Sequence, residues 1–349
     1  MKKSWLLMVL VLGVDSLYGQ AGGKQTFNFL DLKLSPYIAA LQGATIAQRS
    51  DNPIISTRNP ALQNKGMSNR LIMSYNNYLS DVNFGNVAYS TTYKNQMINA
   101  GILYVNYGKF DGYDAAGESI GSFTADDYAF FVGSSKSINE RLTLGSNFKA
   151  VYSQLYNSFA SGVALDAGLH YVDTSGNNNL GFVVRNAGFV LKNYTEGIKE
   201  KMPLRIELSY SVKLSKAPFR FNILLHNLQQ PNMRYIPQDG SVQSTSLDGN
   251  QKQQQIGFGD NVMRHVTLGT ELILGKYTHL RFGYSHQMRR ELSPTIRRGL
   301  TGFAWGFGVN LFNIHFNYAS NSFFPGINTN QFSAVFNLKS LYTKKKKLD

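Results

Sequence analysis

Six histidines, His170, His226, His265, His279, His286 and His315, are the residues most able to bind a metal or shuttle a proton. No two stand at the His-x-x-x-His spacing that places both rings on one helical face, and the chain has no cysteine. A thiolate or helical metal site therefore has no basis, and neither does a disulfide framework. The glycine-rich stretch 299–308 lacks both the lysine and the strand-to-helix context of a phosphate loop, and no Gly-x-Ser-x-Gly elbow exists. Asp166, Glu207 and Glu271 are the carboxylates that could do acid–base work. Each alternates along the chain with apolar residues, among which Lys149, Arg185, Arg205, Arg220 and Arg281 stand in the same phase. The chemistry expected of these eight residues is charge pairing inside an enclosed space. No catalytic residue, metal or cofactor is expected.

The elements that must position them have a period of two. Phe303, Trp305, Phe307, Val309 and Leu311 alternate with Gly302, Ala304, Gly306, Gly308 and Asn310. One face of that strand is bulky and aromatic, the other is small. Leu204, Ile206, Leu208, Tyr210, Val212 and Leu214 likewise oppose Arg205, Glu207, Ser209, Ser211 and Lys213. A lysine or arginine turned to lipid at mid-bilayer would cost about 2–4 kcal/mol, so charge belongs on the inner face of such a sheet. Strands are expected over 70–78, 82–93, 96–107, 124–136, 141–155, 158–172, 178–188, 204–214, 219–229, 264–275, 278–288, 299–311, 313–322 and 330–338. The phase is ambiguous in 82–93 and 124–136. All nine prolines fall outside these strands, as a hydrogen-bonded ladder requires.

Short connections (94–95, 137–140, 173–177, 215–218, 276–277) alternate with longer ones (108–123, 189–203, 230–263, 289–298, 323–329), the pattern of outer-membrane barrels. Unpaired backbone groups are not tolerated in lipid, so the sheet must close. The expected fold is all-β, a 14-stranded antiparallel transmembrane β-barrel over residues 70–340. A soluble sandwich would show charged outer faces, and a β-helix would show a fixed repeat. Neither is present. The mean hydropathy of −0.23 is no objection, because alternating strands average out.

Residues 1–19 read as a signal peptide: Lys2 and Lys3, the apolar run Trp5 to Val14, then Gly19. Residues 20–69 are compact and not strand-like. A short helix is expected in 35–47, followed by the turn-rich passage containing Pro53, Asn59 and Pro60. Such a segment before a barrel fits a helical N-terminal plug. An even strand count would leave both termini on the short-turn, periplasmic side. Residues 341–349, with Lys344 to Lys347, are expected to form a basic periplasmic tail. The net charge of +14 suits anionic lipid or lipopolysaccharide more than nucleic acid in an exported chain. The polar loop 230–263 is too long for a simple turn. Arg234, Tyr235, Asp239 and Lys252 within it are candidate contacts for a partner.

Several stretches together carry a family resemblance. TFNFLDLKLSPYIAALQGA, RNPALQN, LIMSYNNYLSDVNFG, NYGKFDGYD, NYTEGIKEKMP, KAPFRFNILLHNLQQ and TGFAWGFGVNLFNIHFNYA resemble the PorQ family of the type IX secretion system. That family is itself similar to FadL-like transporter barrels, with which it shares an Asn-Pro-Ala element in the plug, here Asn59, Pro60 and Ala61. The resemblance implies a non-enzymatic outer-membrane component of the attachment complex of Bacteroidetes-type bacteria. It would hold a PorZ-like surface protein and work beside a sortase-like protein and a related shuttle barrel while cargo is attached to lipopolysaccharide. The alternative is a FadL-like transporter of a hydrophobic small molecule, which the mostly polar lumenal positions disfavour.

Overall fold

A computed structural model describes residues 25–77, 81–94, 96–197, 199–233, 257–292, 299–324 and 327–339. The strands are β1 (Arg70–Asn77), β2 (Asn83–Tyr93), β3 (Gln96–Tyr113), β4 (Ser119–Ser137) and β5 (Leu142–Leu155). They continue with β6 (Ser158–Val172), β7 (Asn178–Lys192), β8 (Arg205–Lys213), β9 (Phe219–Leu225) and β10 (Val266–Leu274). β11 (Thr278–Ser285), β12 (Phe303–Leu311), β13 (Ile314–Phe324) and β14 (Ile327–Asn337) complete the set. Each pairs antiparallel with its neighbours in sequence, and β1 closes the barrel on β14 from Arg70 opposite Asn337 to Asn77 opposite Asn330. Closure leaves no edge for lipid to meet.

The two faces separate as the alternation demands. Phe148, Leu165, Phe221, Phe282, Trp305 and Phe307 are exposed on the outside, while Ala304, Gly306 and Gly308 face in. The ambiguous phases resolve too. Phe84, Asn86, Ala88 and Ser90 of β2 point inward, as do Ala125, Asp127, Ala129 and Phe131 of β4. Outward aromatics meet across strands in tilted pairs, with ring centres 5.6 Å apart for Trp305–Tyr318 and 5.1 Å for Tyr318–Phe332.

Several boundaries differ from the expected ones. The stretch 108–123 is not a loop, because β3 and β4 stay paired out to Tyr113 and Ser119, with a register shift between Asn106 and Lys109. Phe110 stacks on Phe123 at 5.4 Å, and Phe123 meets Tyr156 at 5.0 Å. At about 3.3 Å per residue, strands of this length outrun an apolar band of about 25 Å even when tilted. β9 stops at Leu225, ahead of Asn227 at φ 57°. A helix α2 (Phe258–Arg264) shortens β10, and Ser285 ends β11 by capping α3 (His286–Glu291), its Oγ accepting from the Met288 N–H at 3.4 Å. Gly302, at φ 85°, delays β12 to Phe303. β7 runs on to Lys192 and β14 starts at Ile327. The long-loop end also holds a tight turn at Tyr156 and Asn157, between β5 and β6.

Residues 25–69 lie inside the barrel. α1 (Pro36–Ala40) packs against β12 and β13, and three 3-10 turns follow at Pro53–Thr57, Pro60–Leu62 and Lys65–Met67. Each is capped by the same device: the side chains of Asn52, Asn59 and Asn64 accept from the backbone N–H two residues on, at 3.2, 3.0 and 2.9 Å. The described chain begins at the long-loop end, where Gln25 bridges Lys201 and the Thr26 N–H donates to the Lys201 carbonyl at 3.1 Å. It then threads the lumen and joins β1 at the short-turn end. The described part of β14 ends at the short-turn end. The signal stretch 1–19 and the tail 341–349 lie outside the described residues.

Candidate functional site

The lumen is the only enclosed chemical environment that the fold builds among the described residues, and charge pairing dominates its polar side. Wall strands supply one half of each pair and the plug often supplies the other. At the first cluster Glu207 of β8 takes a two-pronged contact from Arg185 of β7, Nε to Oε2 at 3.0 Å and Nη2 to Oε1 at 3.2 Å. The Arg58 Nη2 of the plug donates to the same carboxylate at 3.0 Å. Asp31 of the plug meets Arg185 at 3.5 Å and Arg205 at 2.6 Å. Planar guanidinium forks match carboxylates in this way with fixed geometry.

Glu271 of β10 centres the second cluster. It accepts from Arg281 at 2.9 Å, Arg220 at 2.8 Å and the plug's Gln48 at 2.7 Å. Arg281 also lies over the Tyr37 ring of α1, 4.3 Å from its centre. In the third cluster Lys149 Nζ contacts Asp166 at 2.8 Å and donates to Asn186 Oδ1 at 2.8 Å. Asn147, beside Asp166, donates to the plug carbonyl of Ser56 at 2.8 Å. All eight charged residues singled out in the sequence thus face the lumen, in three groups and not as one site.

Asn59, Pro60 and Ala61 seat the plug closely against β5 and β6. Asn59 Nδ2 donates to the carbonyls of Ile46 at 2.8 Å and Leu169 at 3.3 Å, while its Oδ1 caps Ala61. The wall opposite is glycine for a steric reason. A Cβ on Gly168 would sit 2.0 Å from Asn59 Oδ1, and one on Gly145 would sit 2.4 Å from the Pro60 carbonyl carbon. Arg234, Tyr235, Asp239 and Lys252 lie outside the described residues.

The lumen, expected to be mostly polar, also has an apolar side. Phe84, Leu103, Val105, Phe131 and Val151 line one side of it, and Phe27, Phe29, Leu30 and Leu34 of the plug pack into that chamber with Met202. The sequence reading missed these plug residues, as it missed Asp31, Gln48 and Arg58. Their available signal was a run of apolar and charged side chains in a segment with no strand period. Two cavities lie among the described residues beside charged side chains. One of about 840 Å³ opens beside Arg49, Asp51, Lys65 and Lys94, and one of about 220 Å³ lies beside Lys33, Arg58 and His226. Burial lowers His226 to about 4, which keeps it neutral, and burial together with the nearby Arg58 lowers Lys33 to about 7. Among the described residues no group of three or more His, Asp or Glu side chains could hold a metal ion.

No family model and no curated protein matches the chain. Solved structures do. The Pseudomonas putida toluene transporter TodX aligns over 91% of this chain and 98% of its own length, at 12% identity and a TM-score of 0.51. The chain has the fold of that transporter. CymD, a monoaromatic hydrocarbon channel, aligns over 89% of this chain and 97% of its own at 10% identity and a TM-score of 0.49. A Pseudomonas aeruginosa FadL homologue aligns over 90% and 100% at 10% identity and 0.47.

Proposed function

We propose that this chain is a plugged outer-membrane barrel that serves as a non-enzymatic anchor, the attachment-complex component of a type IX secretion system. It would stand with its long-loop end at the cell surface and the end of β14 in the periplasm. There it would hold a PorZ-like protein beside a sortase-like protein and a shuttle barrel, for attachment of cargo to lipopolysaccharide. The observation that carries this reading is the filled lumen. A transporter of apolar solutes needs an open apolar pocket, whereas the apolar chamber here is occupied by Phe27, Phe29, Leu30 and Leu34. The two cavities described above are bordered mostly by charged, amide and hydroxyl residues. The motif resemblance supplies the partners. In cells lacking this chain, the PorZ-like protein is expected to be lost to the medium and regained on complementation; retention on the mutant cells would overturn the proposal.

A second reading, passage of a hydrophobic small molecule, is favoured by the fold shared with a toluene transporter and by the apolar chamber wall. It requires Phe27 to Leu34 to leave their seats. Uptake of a labelled aromatic hydrocarbon that rises several-fold in Phe27→Ala/Phe29→Ala cells over cells without the barrel would favour it. Equal uptake would leave only the anchor.

A further inference from the structure

The cavity of about 220 Å³ lies among plug residues Asp31, Lys33 and Arg58, wall residues Arg185, Arg205 and Glu207, and α3 at the long-loop end. Its charges do not balance. Three guanidinium groups and the Lys33 amine, about half protonated at neutral pH, face two carboxylates, and the neighbouring His226 is neutral. Asp166, the next carboxylate along the wall, is already paired with Lys149. Arg58 shows the imbalance most directly: it is 7% exposed, its Nη2 serves Glu207, and its buried Nε has no hydrogen-bond partner. Lys33 faces no carboxylate; its Nζ is held by Gln42 Oε1 and lies 3.2 Å from the Met288 sulfur. A buried surplus of positive charge is costly unless an anion answers it. The space is polar and large enough for a small ion with a few waters.

We propose that this cavity binds a small oxyanion of the phosphate type, gripped by Arg58, Arg205 and Lys33. Guanidinium forks and an ammonium together offer the planar and point-charge donors that phosphate oxygens accept. The site is distinct from the anchoring role and does not depend on it. Free phosphate and the phosphate of a lipid headgroup share this chemistry.

The test uses the purified full chain in a zwitterionic detergent, titrated calorimetrically with inorganic phosphate and separately with a short-chain phosphatidic acid, against sodium chloride of equal ionic strength. Saturable binding of inorganic phosphate assigns a free anion; binding of the phosphatidic acid alone assigns a headgroup. Lys33→Met leaves every ion pair of the cluster in place and should weaken binding at least tenfold, while Lys33→Arg should restore most of it. Arg205→Gln should also weaken it at least tenfold, since Asp31 keeps Arg185 as a partner. Heat-modifiable gel migration verifies that each variant is folded. Failure of both ligands to bind, or equal affinity in the wild type and the folded Lys33→Met protein, would overturn the assignment.

Discussion

Glu207 ties the plug to the wall. Its carboxylate answers both Arg58 and Arg185, so Glu207→Gln leaves buried Arg58 without a carboxylate and Arg185 with only its 3.5 Å contact to Asp31. Removing one partner of a buried pair costs about 3–5 kcal/mol, and a corresponding drop in the urea midpoint is expected by tryptophan fluorescence. Asn59 acts more locally. Asn59→Ala removes the side-chain donor to the Ile46 and Leu169 carbonyls and uncaps Ala61, at a cost of about 1–3 kcal/mol. Trypsin sensitivity of the plug should rise with it. Lys33 sets a pH dependence. Its folded value, about 7, lies below the 10.5 of the free side chain, so between those values the unfolded chain holds more protons and stability rises with pH. Unfolding midpoints measured from pH 7 to 10 should show that rise in the wild type, and Lys33→Met should remove its share of it.

At the scale of elements, the inner glycines decide how the plug seats. A Cβ on Gly145 or Gly181 would lie 2.4 Å from the Pro60 carbonyl carbon or 2.1 Å from the Ile46 carbonyl oxygen, backbone atoms that cannot rotate away. Gly145→Ala should therefore displace the plug, a strain of about 1–3 kcal/mol. Stepwise conductance in planar bilayers, absent in the wild type, is the expected readout. Gly257→Ala, whose added carbon meets nothing within 4 Å, is the matched control. The same glycines explain the alternation of small and bulky residues legible in β12. The small side faces α1, where a Cβ on Gly306 would come within 2.8 Å of Ala40 Cβ. That pattern shows from local sequence that one side is crowded, but not what crowds it. The β3–β4 extension escaped the sequence reading because its aromatic pairs, Phe110 on Phe123 above all, are cross-strand contacts between residues that glycine and acidic side chains punctuate as a loop.

For the whole molecule the deciding quantity is which solvent touches the outside. Leu165, 56% exposed at the middle of β6, should cost about 2–4 kcal/mol when replaced by arginine in a lipid bilayer. In a water-soluble protein the same change at an exposed position would be nearly free. Unfolding in phospholipid vesicles distinguishes the two. The shared fold with a toluene transporter sits beside a lumen packed by the chain's own residues. Barrel shape alone therefore does not decide between conducting and anchoring; the occupant of the chamber does.

The sequence by itself determined the fourteen strands, the facing of all but β2 and β4, and the inward placement of Lys149, Asp166, Arg185, Arg205, Glu207, Arg220, Glu271 and Arg281. Alternation is a period of two between nearest neighbours, and a local pattern can be read locally. Only the tertiary structure decided that these charges form three separate clusters, that Asp31, Gln48 and Arg58 complete them, and that Phe27 to Leu34 fill an apolar chamber. The plug has no period to announce its contacts, and its partners lie up to 279 residues away along the chain, as Asn321 does from Gln42. Such contacts exist only once the barrel has closed around it.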